Sequence, residues 1–273
     1  MENLIICKQN ELIENFIFNA TEMELQILNY AVAITNPHWD NKSLVYEITI
    51  PELVATYKTK SKSAYEEYKH ALERLMKRTY SYYDVNRKKH TENLVTRITE
   101  DMDNESWLSF RFNEYISTRI SNLQGLFTKY DIKHIAMFKS RYAFLLYEYF
   151  KMNLQQSQSK VFNVKFSIES FKEKLDILDK YDLFFNLEKK VLKISQNNIN
   201  KHSDIRISYV VNRKGRTPVS ITFKAQYKKE FENKQIEFQH ELNIPEPQPE
   251  LEKDCDLGKE KVKGIKEMLG YKI

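Results

Sequence analysis

Apolar residues recur along the chain in two rhythms, one typical of helices and one typical of strands. The first helical pattern begins at Thr21-Glu22-Met23-Glu24, a capping box in which side chains satisfy free backbone N–H groups. Asn36-Pro37 ends it. The patterns predict further elements in the first half: a strand at Leu44–Ile50, a short helix from Pro51, a long helix at Ser63–Arg78, strands at Tyr80–Val85, Leu94–Glu100 and Trp107–Phe112, and a helical link at Asn113–Ile135.

The second half repeats this order of elements. The segment Val45–Leu53 aligns with Val161–Phe171, and the later elements follow at a nearly constant offset, which indicates two copies of one domain. The elements predicted for the second copy are a helix at Ser140–Asn153, a strand at Val161–Phe166, a short helix at Ser167–Leu175, a long helix at Phe184–Asn200, and strands at Ile205–Val211 and Val219–Phe223.

A long helix followed by two strands with a basic turn between them is the order of a winged helix. The turn is Asn212-Arg213-Lys214-Gly215-Arg216, and its glycine permits the positive φ of a tight hairpin. The predicted fold class is therefore α+β, with two tandem winged-helix domains related as an internal repeat. We expect domains at 1–135 and 136–228, followed by an acidic, partly disordered tail at 229–273 with a Pro-rich linker.

Charge is unevenly distributed along the chain, although the net charge is only +5. The segment Tyr181–Lys229 holds 11 Lys/Arg against 3 Asp/Glu, whereas Glu230–Ile273 holds 7 against 11. A concentrated basic block favours a polyanionic partner. The two cysteines, Cys7 and Cys255, form no metal-type pair, which fits a reducing cytoplasm. No signal peptide or membrane-spanning stretch is predicted.

The long helix of the second copy carries the strongest candidate chemistry. A helical wheel places Leu187, Val191 and Ile194 in the core and leaves a polar face without acids. Lysine can contact phosphates or guanine, and Asn or Gln can bind adenine, so this face predicts contact with double-stranded DNA; a solvated polar face is the alternative. The candidate DNA-binding residues on and beside the helix are Lys189, Lys190, Lys193, Gln196, Asn197, Asn200 and Lys201.

Two other parts of the second copy are candidates for phosphate contact. Arg213, Lys214 and Arg216 of the wing suit the DNA backbone, or they form a solubilising turn. Ser140, Arg141 and Tyr142 begin the preceding helix, where free N–H groups favour an anion; an ordinary helix cap is the alternative.

The first copy is predicted to contribute backbone contacts and more protein–protein contact than base readout. The outer side of its long helix carries Glu66, Glu67 and Glu73, and carboxylates repel phosphates. The candidate DNA-binding residues of this copy are Lys60, Lys62, Arg74, Lys77, Arg87, Lys88 and Lys89.

Catalysis is not indicated by any motif. The chain has no Gly-x-x-x-x-Gly-Lys-Ser/Thr phosphate loop, no His-hydrophobic-His pair and no Tyr within an Arg/His cluster, so we expect no enzyme activity, cofactor or metal. Two non-enzymatic functions are compatible with these features. One is a winged-helix transcriptional regulator, and the other is an interaction protein whose basic face binds an acidic partner.

Six segments of the chain carry a family resemblance: Asn10-Glu11-Leu12-Ile13, Thr21–Ile34, Ser140–Glu148, Tyr181–Asn200, Gly215-Arg216 and Ile221-Thr222-Phe223. With them, the chain resembles the plasmid replication initiator (Rep) proteins that bind iterons, the direct repeats of theta-type plasmid origins. The resemblance spans roughly residues 3–228. It implies that both domains bind one iteron in tandem, that the second dominates readout, and that the first carries a dimer interface. It also implies that monomers open the origin and recruit host replication proteins, while dimers repress their own promoter.

Overall fold

The computed structural model describes residues 4–15, 20–38, 45–83, 86–100, 106–123, 125–157 and 160–231. The linker Pro245–Glu250 and the tail from residue 232 lie outside them, as do residue 44 and residues 84–85 of two predicted strands. The elements of the first half are β1 Ile5–Gln9, α1 Asn10–Asn15, α2 Glu22–Ala33, β2 Tyr46–Thr49, α3 Ile50–Tyr57, α4 Ala64–Lys77, β3 Thr79–Tyr83, β4 Lys89–Asn93, β5 Val95–Glu100, β6 Trp107–Phe112, α5 Glu114–Ile120 and β7 Phe127–Asp131.

The predicted capping box at the start of α2 is confirmed. The Thr21 hydroxyl accepts from the N–H of Glu24 at 3.3 Å, and the Glu24 carboxylate accepts from the N–H of Thr21 at 2.8 Å. A second capping box, formed by Thr49 and Glu52, begins α3 and places Pro51 in its first turn. Proline is tolerated there because a backbone N–H in the first turn has no partner within the helix. These local signals explain why the sequence predicted both helices.

The second half contains α6 Arg141–Gln156, β8 Val161–Ser167, α7 Ile168–Lys174, α8, β9 Ile205–Lys214 and β10 Thr217–Tyr227. Helix α8 comprises three consecutive segments: Phe184–Leu187, a π turn at Glu188–Leu192, and Lys193–His202. The backbone stays helical where they join, with φ −61° and ψ −48° at Glu188 and φ −64° and ψ −41° at Lys193. All the elements predicted for this copy are confirmed.

The two halves share one topology, which confirms the predicted repeat. Each half places a helix, a strand and two further helices before an antiparallel hairpin. In both, the last strand lies in the middle of a three-stranded sheet: the orders are β2-β6-β5 and β8-β10-β9. Both sheets therefore cover a three-helix layer in the manner of a winged helix.

The helical link predicted for Asn113–Ile135 is wrong in most of its length. Among its described residues, Glu114–Ile120 is the only α-helical part, with a short 3-10 turn at Ile132–His134, and β7 pairs antiparallel with β1 near the N-terminus. Strand β4, which pairs with β3, was also not predicted. Short strands of this kind obtain their hydrogen bonds from distant or weakly patterned partners, and a local apolar period does not reveal such a partner.

One buried apolar cluster extends from the first copy into the second. Two buried ion pairs lie within it. The Lys8 ammonium lies 2.6 Å from the Glu148 carboxylate, and that of Lys151 lies 2.5 Å from Asp204. Burial by itself would raise the pKa of the Asp204 carboxyl, but the positive charges of Lys151 and His134 hold it below its usual range.

Candidate nucleic-acid interface

Helix α8 buries a stripe of side chains at a spacing of four residues: Leu187, Val191, Ser195 and Ile199. In a regular α-helix this spacing drifts by about 40° at each step. The π turn, which holds an extra residue per turn, offsets part of that drift. For this reason the prediction that Ile194 lies in the core is wrong: Ile194 is exposed, and Ser195 takes the buried position.

The opposite stripe of α8 has the same spacing of four and is exposed along its length. Its members are Phe185, Lys189, Lys193, Asn197 and Lys201. Lys190 lies beside it and is also exposed. The Lys193 ammonium lies 3.7 Å from the Glu188 carboxylate, while no described acid forms an ion pair with Lys189, Lys190 or Lys201. This surface, which we term the α8 stripe, therefore presents uncompensated positive charge beside one amide.

Asn200 and Gln196 differ from the rest of the predicted set. The Asn200 amide donates to the carbonyl of Ile207 at 2.9 Å and accepts from the Ile207 N–H at 2.7 Å. The Gln196 amide donates to the same carbonyl at 3.2 Å. Both side chains are directed at β9, so this geometry favours a role in fixing α8 against the hairpin over base contact.

The wing is the turn between β9 and β10. Gly215 has a φ of +60°, and Arg213, Lys214 and Arg216 are all exposed there. The Arg213 guanidinium donates to the carbonyl of Arg216 at 3.0 Å and lies 5.9 Å from the ring centroid of Phe184. The wing thus carries three cations at its tip and is tied to the first turn of α8.

The start of α6 is less accessible than the sequence suggested. Ser140 is the N-cap but makes no side-chain cap, and the Arg141 guanidinium donates to the carbonyl of Leu175 at 3.3 Å. Tyr142 is buried, with its hydroxyl 3.0 Å from that of Tyr181. Burial of Tyr142 opposes the predicted phosphate contact for that residue. Ser140 and Arg141 are partly exposed, so solvent still reaches them.

In the first copy, the long helix α4 pairs two of its cations, Lys69 and Arg74, with carboxylates of the protein. Glu24 is 0% exposed, and its two carboxylate oxygens each accept from a guanidinium at 2.8 Å, one from Arg74 and one from Arg78. Lys69 pairs with Glu100 at 2.7 Å. Arg74 is therefore held to the protein, which opposes the predicted DNA contact.

The other predicted cations of the first copy are exposed but scattered. Lys60 and Lys62 lie before α4, Lys77 lies in its last turn, and Arg87, Lys88 and Lys89 belong to the β3–β4 hairpin. That hairpin is an addition to the winged-helix topology, and the tip of the first wing, residues 101–105, lies outside the described part of the chain. The structure does not gather these cations into one stripe.

Phe185 is the residue of this surface that sequence reasoning missed. The side chain is 66% exposed, and the Lys189 ammonium lies 5.9 Å from its ring centroid. The signal available in the sequence was the pair Phe184-Phe185, of which only one ring can face the core of a helical domain. Within the described residues, no cluster of His, Cys, Asp or Glu suited to a metal ion is present, and no helix is long and apolar enough to cross a membrane.

Comparison with known proteins gives matches to both halves of the chain. Residues 5–151 match the family model described as Initiator Replication protein, WH1, and residues 167–225 match Initiator Rep protein, WH2. A Replication initiation protein of Escherichia coli is 26% identical over 245 residues, covering 86% of this chain and 76% of that protein.

A solved structure supports the same fold. The Pi initiator protein, solved in complex with iteron DNA, superposes with a TM-score of 0.70 at 21% identity. The match covers 84% of this chain and 99% of the other. At this identity the likeness concerns the fold, and it agrees with the tandem winged-helix topology described above.

Proposed function

The chain belongs to the initiator replication protein family, and on that premise we propose that it starts plasmid replication by binding direct DNA repeats at the origin. The observation that carries the proposal is the α8 stripe with the basic wing beside it. A helix that presents cations and an amide can enter the major groove, where those groups distinguish base pairs. A basic turn beside it suits the flanking phosphates.

The residues divide by expected role. Asn197 is the proposed base reader, and Lys189, Lys190, Lys193 and Lys201 contact base edges or nearby phosphates. The wing cations Arg213, Lys214 and Arg216 grip the backbone and carry no sequence information. Asn200, Gln196 and Tyr142 are left out of this set because their polar atoms are directed at the protein.

The first copy is proposed to hold backbone contacts and the surface for self-association. Its division from the second copy at residues 135–136, with a tail from residue 229, remains part of the proposal. We further propose that monomers act at the origin together with a host helicase or initiator, that dimers repress the gene's own promoter, and that both act in the bacterial cytoplasm. The paired cations of α4 support a lesser part in DNA reading for this copy.

The test uses duplexes carrying one repeat, two direct repeats or two inverted repeats, taken from the DNA beside the gene. Titration with mass measurement of the complexes should show one monomer on a single repeat and independent filling of direct repeats. Binding only as a dimer to the inverted arrangement would contradict the proposal and favour a transcriptional regulator, because operator symmetry then mirrors protein symmetry. Equal affinity for unrelated DNA at fixed salt would contradict sequence reading altogether.

A further inference from the structure

The α8 stripe contains one apolar member, and its presence there calls for a physical reason. Phe185 is 66% exposed, although a phenylalanine of this size normally buries most of its surface. Its neighbour Phe184 already provides the aromatic contact to the core and lies 5.9 Å from the Arg213 guanidinium of the wing. Phe185 is therefore not needed to hold α8 in place.

The position of Phe185 within the stripe indicates what covers it. It precedes Lys189 by four residues, and Lys193 and Asn197 continue the same line on the exposed side of one helix. The Lys189 ammonium lies 5.9 Å from the Phe185 ring centroid. A partner that covers the ring must also accept this row of cations, which fits a polyanion with apolar groups exposed between its charges.

DNA provides such a surface in its major groove. Phosphates line the groove, and thymine is the one base that presents a methyl group there. Apolar side chains such as phenylalanine contact that methyl group in protein–DNA complexes. We propose that Phe185 is a specificity-determining residue that contacts the C5-methyl group of a thymine in each bound repeat. The inference rests on the proposed function, since it requires α8 to lie in the major groove.

The test removes the methyl group without changing base pairing. The probe is a duplex selected by the wild-type chain from a random pool of double-stranded DNA, with its thymines replaced one at a time by deoxyuridine. Burial of one methyl group is worth about a fourfold change in affinity. The wild type should lose about fourfold at one thymine, and Phe185→Ala should bind the unmodified duplex more weakly and no longer respond at that thymine.

A matched control is Leu126→Ala, which removes another exposed apolar side chain, 71% exposed and at the residue before β7 in the first copy. It should keep the wild-type affinity and the wild-type response to deoxyuridine. Equal thermal melting of all three proteins would confirm that the substitutions act on binding.

Two results would overturn the inference. The wild type could show no loss at any deoxyuridine position, or Phe185→Ala could show the same loss as the wild type; either would assign Phe185 to another surface, such as a protein contact. In both cases selective binding to the chosen duplex would persist, so the proposed function would stand. A wild-type chain that selects no sequence from the pool would instead overturn both proposals.

Discussion

Helices α4 and α8 occupy the same place in the two copies, but most cations of α4 are paired with carboxylates, whereas most cations of α8 are not. In α4, Arg74 is bound to the buried Glu24 and Lys69 is bound to Glu100. In α8, Lys189 and Lys190 project from the surface without an ion pair to any described residue. The comparison teaches that two copies of one topology need not share a function. A cation whose charge is neutralised by a carboxylate attracts a phosphate only weakly.

The copies also differ in the exposure of the cations that pair with their buried carboxylates. Glu24 holds two guanidiniums at the edge of α4, and that of Arg74 is 46% exposed. In the second copy, Asp204 follows α8 and is buried. Its carboxylate pairs with Lys151 and accepts a hydrogen bond from the Tyr147 hydroxyl at 2.9 Å. The Lys151 side chain is only 1% exposed, so the Asp204 pair lies wholly inside the second copy, whereas the pair of Glu24 with Arg74 reaches the surface of the first.

The largest effect is expected from Asp204→Asn, which breaks the buried pair beneath α8. Removing one partner of such a pair leaves the other charge uncompensated and costs about 3–5 kcal/mol. The midpoint of urea unfolding should fall accordingly, with an unchanged slope. A loss below about 1 kcal/mol would show that Lys151 finds another partner or loses its proton at little cost.

The same carboxylate sets a dependence on pH. Because the pKa of Asp204 is lower in the folded state than in the unfolded state, its contribution is fully present above the ordinary Asp range. That contribution is lost as the pH falls from the ordinary Asp range to the lower pKa that Asp204 has in the folded state. The wild-type stability should therefore decline more steeply with acid than that of Asp204→Asn, and parallel curves would contradict the assignment.

Glu24→Gln should cost less, roughly 2 kcal/mol, because the Arg74 partner is half exposed and solvent screens the pair. The amide keeps the size of the side chain but removes the charge that holds both guanidiniums. Urea unfolding at low and high salt measures the effect, and the difference between wild type and variant should shrink as salt is added. Salt-independent destabilisation would indicate lost helix capping instead of lost charge pairing.

Asn197→Ala tests whether α8 recognises bases. A bidentate contact to a base is worth about 1–3 kcal/mol of discrimination, so the variant should bind the repeat and unrelated DNA with more similar affinities. Competition binding at fixed salt measures the ratio. The unfolding midpoint should not change because Asn197 is exposed, and an unchanged ratio would remove Asn197 from the base-reading set.

Lys214→Ala is expected to have the smallest effect. Loss of one phosphate contact should weaken all sequences about equally and reduce the slope of log affinity against log salt by about 0.9. Lys133→Ala is the matched control, because this exposed lysine is paired with Asp131 at 2.5 Å and is not among the candidate DNA-binding residues. Equal slopes for the two variants would contradict phosphate contact by the wing.

Sequence reasoning recovered the elements of the second copy because each has a local cause. The capping box at Thr21 shows that such signals act in the first copy as well. Sequence reasoning failed for β7, which pairs with β1 near the N-terminus, and for β4, whose sequence Lys89–Asn93 is polar and has no apolar period. In the candidate interface it placed Lys189, Lys193 and Asn197 on the exposed side, but it missed Phe185 and misassigned Ile194, because a regular helical wheel does not contain the π turn.

The sequence by itself determined the tandem repeat, the basic block and the order of helix, helix and hairpin in each copy. These follow from apolar periods and local charge, which act over a few residues. Only the tertiary structure decided which polar groups remain available for a partner. Arg74 meets Glu24 fifty positions away in the chain, and the Asn200 amide turns to Ile207, because long-range packing brings those groups within hydrogen-bond distance. The availability of a charge or an amide depends on such neighbours, and a local pattern does not contain them.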